Sequence, residues 1–227
     1  MVPFEGVVRP VSTNLVNGVY YGQLLDGKRD GFGLLYAINS DKEPQVFSCQ
    51  WLQGIPQIGK WGSIVVVGQW IEYEGEFNEH YLANGQGSLT QWQGDKYVGQ
   101  FESGKRSGIG KLQWEHGEYE GEWKNNMYNG KGEIRWKSGN TYRGQFIDDE
   151  FAEGSMIYKG GSYLEGHFVK ENLHGLGKFV FESGEYQIGE WENGKKQGEH
   201  KVYEKEGNQR WFATYKDNEV TKLVEIL

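Results

Sequence analysis

Four segments share the spacing of a phosphate-cradling loop, G-x(4)-G-K: Gly22 to Lys28, Gly54 to Lys60, Gly99 to Lys105 and Gly189 to Lys195. In that chemistry, backbone N–H groups wrap the phosphates and the lysine reaches the outer ones. A Ser or Thr directly after the lysine holds Mg²⁺. Here the following residues are Arg29, Trp61, Arg106 and Lys196, so the hydroxyl is missing. No strand–loop–helix context surrounds them either, and three of the four fall at one position of an internal repeat. Turn spacing accounts for them, and no cofactor is expected.

The same turns carry basic pairs: Lys28-Arg29, Lys105-Arg106 and Lys195-Lys196. A phosphoinositide or anionic membrane surface is the chemistry such pairs suggest. Roughly 30–40 Å would separate them at two strands per repeat, too far for one headgroup pocket. The formal charge of −8 works against an anionic membrane and against nucleic acid. His80, His116, His167, His174 and His200 fall at different repeat positions, and no pair has a metal-ligand spacing on one element. Cys49 stands in a glycine position with no histidine near it in sequence, which reads as a buried structural thiol. Asp148-Asp149-Glu150 reads as an acidic turn. Glu120 and Glu122 lie on an exposed strand face, without the water-excluding cleft that paired-carboxylate catalysis needs. No metal site and no enzymatic activity are expected.

The elements that carry these residues repeat. In YEGEWKNNMYNGKGEIRWKSG, Tyr119, Gly121 and Trp123 fall at alternate positions, as do Gly130, Gly132, Ile134 and Trp136. A period of two is a strand period, so the stretch predicts a β-hairpin with one aromatic-and-glycine face and one charged face. Its central glycine recurs at Gly22, Gly75, Gly99, Gly121, Gly144, Gly166 and Gly189, with Cys49 and Ala213 in the same place in weaker copies. Neighbouring copies are 22 to 27 residues apart, the signature of a repeat architecture. Glycine (35 of 227) and aromatics (34) are each about twice their ordinary share, which argues against a thick aliphatic core. Glycine weakens a strand interior, so its recurrence beside rings implies that aromatic side chains lie flat over its backbone.

The residues YEGEWKNNMYNGKGEIRW, YVGQFESGKRSGIGKLQW and GEWENGKKQG resemble MORN (membrane occupation and recognition nexus) repeats, and the resemblance covers about residues 20–216. It implies an all-β fold, one elongated, twisted antiparallel sheet of consecutive hairpins. The expected organisation is an N-terminal extension over 1–18, an array of about eight and a half units over 19–216, and a cap over 217–227. Units two and six are degenerate, with Glu153 and Ser155 standing where unit six should have glycines. In the tail, Val220, Leu223, Val224 and Leu227 follow a helical stripe, which predicts a short capping helix, with a last edge strand as the alternative.

Two docking surfaces are expected. One is an aromatic groove suited to a peptide or helix, formed by Tyr97, Phe101, Trp114, Tyr119 and Trp123, continuing through Trp136, Tyr142, Phe146, Phe168 and Trp191. The other is an apolar patch where the charged face should be: Tyr21, Leu25, Phe32, Leu34 and Tyr36, with Val65 and Val67 in an all-apolar run. Either the N-terminal extension (Val2, Phe4, Val7, Val8) folds back over this patch, or a partner covers it. The chain is expected to be a non-enzymatic scaffold for other proteins. The resemblance implies a place in cilia, axonemes or another cytoskeletal assembly. The alternatives are a membrane-surface tether on Lys28, Arg29, Lys105, Arg106, Lys195 and Lys196, or an accessory subunit of a separate enzyme polypeptide. No small-molecule substrate is expected. One cysteine, no apolar run of membrane-spanning length and no leader-like N-terminus point to a soluble cytoplasmic protein.

Overall fold

The computed structural model describes all residues but 11, 67 and 227, and the backbone alone at 65 and 66. The chain divides into two units: Met1–Glu115 with Trp123–Asn126, and His116–Glu122 with Met127 onward. The first unit holds β1 (Val2–Phe4), β2 (Leu15–Leu25), β3 (Lys28–Asn39), β4 (Pro44–Leu52) and β5 (Ile55–Val66). It continues through β6 (Gln69–Phe77), β7 (Ala83–Gln91), β8 (Lys96–Glu102) and β9 (Lys105–Trp114). The second holds β10 (Gly117–Lys124, whose last two residues belong to the first unit), β11 (Met127–Trp136), β12 (Thr141–Ile147), β13 (Glu150–Ile157) and β14 (Tyr163–Val169). It ends with β15 (Asn172–Val180), β16 (Tyr186–Glu192), β17 (Lys195–Tyr203), β18 (Gln209–Lys216) and β19 (Glu219–Glu225). Within each unit the strands pair antiparallel in chain order. Among the described residues there is no helix.

The turns explain the hairpins. Asp26-Gly27 (φ 48° and 77°), Ser103-Gly104 (48°, 84°), Asn125-Asn126 (53°, 74°) and Asn193-Gly194 (50°, 77°) all have two consecutive residues in the left-handed region. That is the type I′ geometry whose twist matches the flanking strands, and Asn, Asp and Gly adopt it at least cost.

Register then places the glycines in line. In the first unit Gly22, Gly33, Cys49, Gly59, Gly75, Gly87, Gly99 and Gly110 pair one after another across eight strands. In the second, Gly132, Gly144, Gly154, Gly166, Gly177 and Gly189 do the same. Tyrosine rings lie on this row. A Cβ on Gly33 would stand 2.1 Å from the Tyr20 hydroxyl oxygen, and one on Gly110 would stand 2.2 Å from that of Tyr97. Each hydroxyl donates to the carbonyl three residues on: Tyr20 to Gln23 (3.0 Å), Tyr73 to Glu76 (2.7 Å), Tyr97 to Gln100 (2.9 Å) and Tyr119 to Glu122 (2.8 Å). The polar tip of each buried ring is thus satisfied. Phe77, Tyr73, Phe101, Tyr97 and Trp123 follow one another edge to face, with centroids 5.0–5.2 Å apart and planes at 80–87°. The indoles of Trp51 and Trp123 donate to the carbonyls of Gly33 and Gly110, each at 3.0 Å.

Three expectations need correction. Unit six does not lose its glycine: a bulge after Gln145 brings Gly154 opposite Gly144. The tail is not a helix but β19, paired with β18 from Trp211↔Glu225 to Lys216↔Glu219. Asp217-Asn218 (φ 50° and 75°) turns the chain into it, and the β-branched Val220, Thr221 and Val224 suit a strand better than a helix. Leu227, part of the expected stripe, lies outside the described residues. Finally, the N-terminal segment does not cover the outer apolar patch. Its strand β1 pairs with β2 (Val2↔Tyr20) and buries Phe4 on the ring side, against Tyr81 at 5.8 Å. Strands therefore begin before residue 19 and continue past residue 216.

The row predicts unequal glycine costs. Gly110→Ala overpacks the Tyr97 ring and is expected to cost about 1–3 kcal/mol. Gly62, also in a strand of the first unit, has no atom nearer than 3.7 Å to an added Cβ. Gly62→Ala is expected to stay within about 0.5 kcal/mol. Urea unfolding of the two variants checks the difference; equal costs would contradict the ring-on-glycine account.

Candidate partner-docking face

The expected aromatic groove is largely closed. Tyr97, Phe101, Tyr119, Trp123, Phe146, Phe168 and Trp191 are buried, and each is occupied by its neighbours in the ring stack or by the glycine row. Trp114, Trp136 and Tyr142 are half-buried at the strand ends, where Trp136 meets Tyr142 edge to face at 4.8 Å. The residues placed in the groove are thus core, because a single-layer sheet with glycine on one face packs its own rings there.

The basic pairs divide in the same way. The first member of each follows the turn: Lys28 and Lys195 are exposed and Lys105 is half-buried. The second folds over the rings. Arg29 lies 5.0 Å from the Phe4 ring centre and 5.2 Å from that of Trp51, and its guanidinium donates to the Gly54 carbonyl (3.1 Å) and the Tyr81 hydroxyl (2.5 Å). Arg106 lies 4.4 Å over Trp123. Lys196 sits 4.9 Å from Tyr215 and 5.6 Å from Phe179, and burial lowers its pKa. Tyr128, Phe151 and Leu173 hold the equivalent position, the second residue after the turn, in other hairpins. At several of these positions the carbonyl also accepts from the next turn: Asn126 N–H donates to Arg106 (3.0 Å), Asp149 to Tyr128 (3.0 Å) and Asn218 to Lys196 (3.2 Å). Sequence reasoning missed this ring-capping position. Aligning the chain on its turns, not its glycines, would have shown Arg29, Pro56, Arg106, Tyr128, Phe151, Leu173 and Lys196 there, most of them with long or flat apolar bodies.

Other candidates are likewise structural. Burial raises the Cys49 thiol to about 12, and its Sγ points at the Lys60 carbonyl at 3.6 Å. Asp148 accepts from the Asn129 side chain at 2.8 Å and Asp149 from the Tyr128 N–H at 2.7 Å, so this acidic turn ties one hairpin to the next. Glu122 accepts from the Lys131 N–H at 2.9 Å, beside left-handed Gly130 (φ 96°). Gln23 and Gln100 do the same for Phe32 and Ile109, both at 2.8 Å. His200 is fully buried and occupies the ring position over Gly189, where a Cβ would meet its Cδ2 at 2.4 Å. Its Nε2 reaches the Glu190 carbonyl at 3.0 Å, and burial, the largest cause, lowers its pKa. Among the described residues no three His, Cys, Asp or Glu side chains are grouped as a metal would require.

The apolar patch is open. Tyr21 (69% exposed), Leu25, Phe32 (51%), Leu34 and Tyr36 (48%) are all exposed. Cross-strand register puts Tyr21 beside Leu34, and Val19 beside Tyr36 and then Val46, on the face opposite the rings. Val46, Ile58, Ile64 and Trp70 extend this exposed apolar surface across β4, β5 and β6. The side chain of Val65, and Val67 altogether, lie outside the described residues. Contiguous exposed apolar surface of this extent is uncommon on soluble monomeric proteins.

A glycine-registered run of I′ hairpins, with rings on one face and variable side chains on the other, defines a tandem-hairpin repeat protein. The MORN repeat family model matches residues 20–42, 97–117, 119–141, 165–186 and 188–199. The chain thus carries MORN repeats at five stretches, and such repeats are in general protein- and membrane-interaction modules. No curated protein matches it. The hairpins between the matched stretches share the same glycine row, with Cys49 at one crossing.

Two predictions separate packing from surface charge. Arg106→Leu is expected to lower stability by about 1–2 kcal/mol through loss of the Trp123 contact, and Lys105→Ala by less than about 0.5 kcal/mol; denaturant titration checks both. For His200, the folded pKa lies below the unfolded value of about 6.5. The neutral ring's contribution is therefore complete above that pH and is lost as pH falls from there toward the folded pKa. His200→Phe should flatten the loss of stability between pH 7.5 and 5 relative to wild type. An unchanged pH profile would remove His200 as its source.

Proposed function

We propose that this protein is a non-enzymatic scaffold that binds other proteins on the outer apolar face of β2–β6. The observation that carries this reading is the exposure of Tyr21, Phe32, Leu34 and Tyr36 side by side on a sheet whose opposite face holds the core. The interaction role of MORN repeats supports it. Cys49, Glu122, Asp148, Asp149 and His200 are occupied by packing and turn contacts, and we assign no reaction to them. Membrane tethering is the weaker reading, because Arg29, Arg106 and Lys196 have ring partners and the chain carries a charge of −8. We further propose that the scaffold works in the cytoplasm, in a ciliary, axonemal or other cytoskeletal assembly.

Crosslinked pull-down from native extract tests this. Wild type should recover a defined partner set, and the double variant Leu34→Glu/Tyr36→Glu should lose it while its unfolding free energy stays within about 0.5 kcal/mol of wild type. Recovery of the same partners by both proteins would sink the assignment to this face.

A further inference from the structure

Crossing the outer face from β3 to β6, side chains change in a regular way. One row reads Tyr36, Val46, Gly62, Glu72, and the next reads Leu34, Ser48, Lys60, Glu74. Large apolar groups thus stand on β3, small ones on β4 and at Gly62, and carboxylates on β6. The result is a trough. Along it a cleft of about 380 Å³ is lined by Pro44, Val46, Lys60, Gly62, Ile64 and Trp70. Gly62 leaves a notch in the floor, since nothing lies within 3.7 Å of where its Cβ would be.

Resting on the reading that this face docks partner proteins, we propose that the trough takes an amphipathic α-helix of a partner. The helix would bear an apolar stripe with lysine or arginine at i and i+4 along one flank. Three features of the site select it. First, β3 and β6 are three strand spacings apart, about 14 Å, which accommodates a helix about 10–12 Å across. Second, the acidic border is under-compensated: Glu72 and Glu74 share the single Lys60 ammonium, at 3.9 and 3.2 Å, with all three side chains at least half exposed. An exposed pair of this kind contributes little and exchanges easily for a new cation. Third, the spacing matches. Two residues along a strand advance about 6.8 Å, and four along a helix advance about 6 Å, so i and i+4 cations meet Glu72 and Glu74 together. The Gly62 notch takes one bulky side chain of the stripe. A second copy of the chain does not supply this ligand, since among the described residues it has no helix. An anionic bilayer is repelled by the same border.

The test is display selection of helical 18-residue peptides, with stripe and flanks randomised, against the full chain and with Val46→Glu as counter-selection. The expected enrichment is an apolar stripe with Lys or Arg at i and i+4 on one flank only. By calorimetry, the best peptide should bind Glu72→Gln/Glu74→Gln at least tenfold more weakly than wild type. Changing its two cations to Glu should weaken binding by a further margin on wild type but not on that variant. Gly62→Val should also weaken it tenfold, with an unchanged melting temperature. Selected peptides without the basic flank, or with binding indifferent to Glu72 and Glu74, overturn the proposal. So does a Val46-dependent dimer in sedimentation, or Val46-dependent co-flotation with phosphatidylserine vesicles. If pull-down partners depend on Leu34 and Tyr36 while no such helix is selected, the docking reading stands and the helix proposal alone fails.

Discussion

The constraint on which this structure depends is the contact between an aromatic ring and a backbone with no side chain. A tyrosine can lie across two adjacent strands only if both residues beneath it are glycine, because a Cβ at Gly33 or Gly110 would occupy the ring itself. Antiparallel register then propagates the requirement, since the glycine under one ring pairs with the glycine under the next. Core and register are therefore specified by the same residues. A slip of one residue would put every ring on the wrong face and a side chain under it. This is how a sheet with few aliphatic residues holds one alignment. Where the row departs from the pattern, another group fills the same volume: Cys49 at a glycine crossing, Leu173 over Gly166 and Gly177, and His200 over Gly189.

That constraint divides the molecule's labour between its two faces. The ring face is consumed by packing, and the second residue after several turns closes it, by cation–π contact at Arg29, Arg106 and Lys196 and by stacking at Tyr128, 3.9 Å from Tyr119. Charges that look like a surface signal in sequence are thus drawn into the core rim. The outer face is bound by no such rule beyond strand propensity, and it is there that the units differ. In the first unit it runs from Tyr21 and Tyr36 to Glu72 and Glu74. In the second it carries ion pairs such as Arg143 with Glu133 at 2.6 Å.

The hairpins and the face that holds the rings were legible in the sequence because period two and a fixed repeat length are properties of residue order alone. The ring-on-glycine contact was legible for the same reason. The groove was not. Alternation says which side chains share a face, but it does not say whether that face is open, and Tyr97 and Trp123 turn out to be inside. The bulges were hidden because a single inserted residue, such as Ala152 opposite Gln145 and Phe146, changes register without changing composition. The tail was misread because Val220, Leu223 and Val224 fit a helical stripe as well as a bulged strand. The Asp217-Asn218 turn and the β-branched residues after it held the deciding information.

These points bear on where specificity can reside. A substitution on the ring face must preserve volume over glycine or break the register, so that face can hardly distinguish one repeat protein from another. A substitution at Tyr36, Val46, Gly62 or Glu72 meets solvent, not the core, and changes only what the surface presents. Recognition that differs between such proteins therefore belongs to residues that depart from the repeat on its outer face. The apolar-to-acidic gradient across β3–β6 is the largest such departure in the first unit.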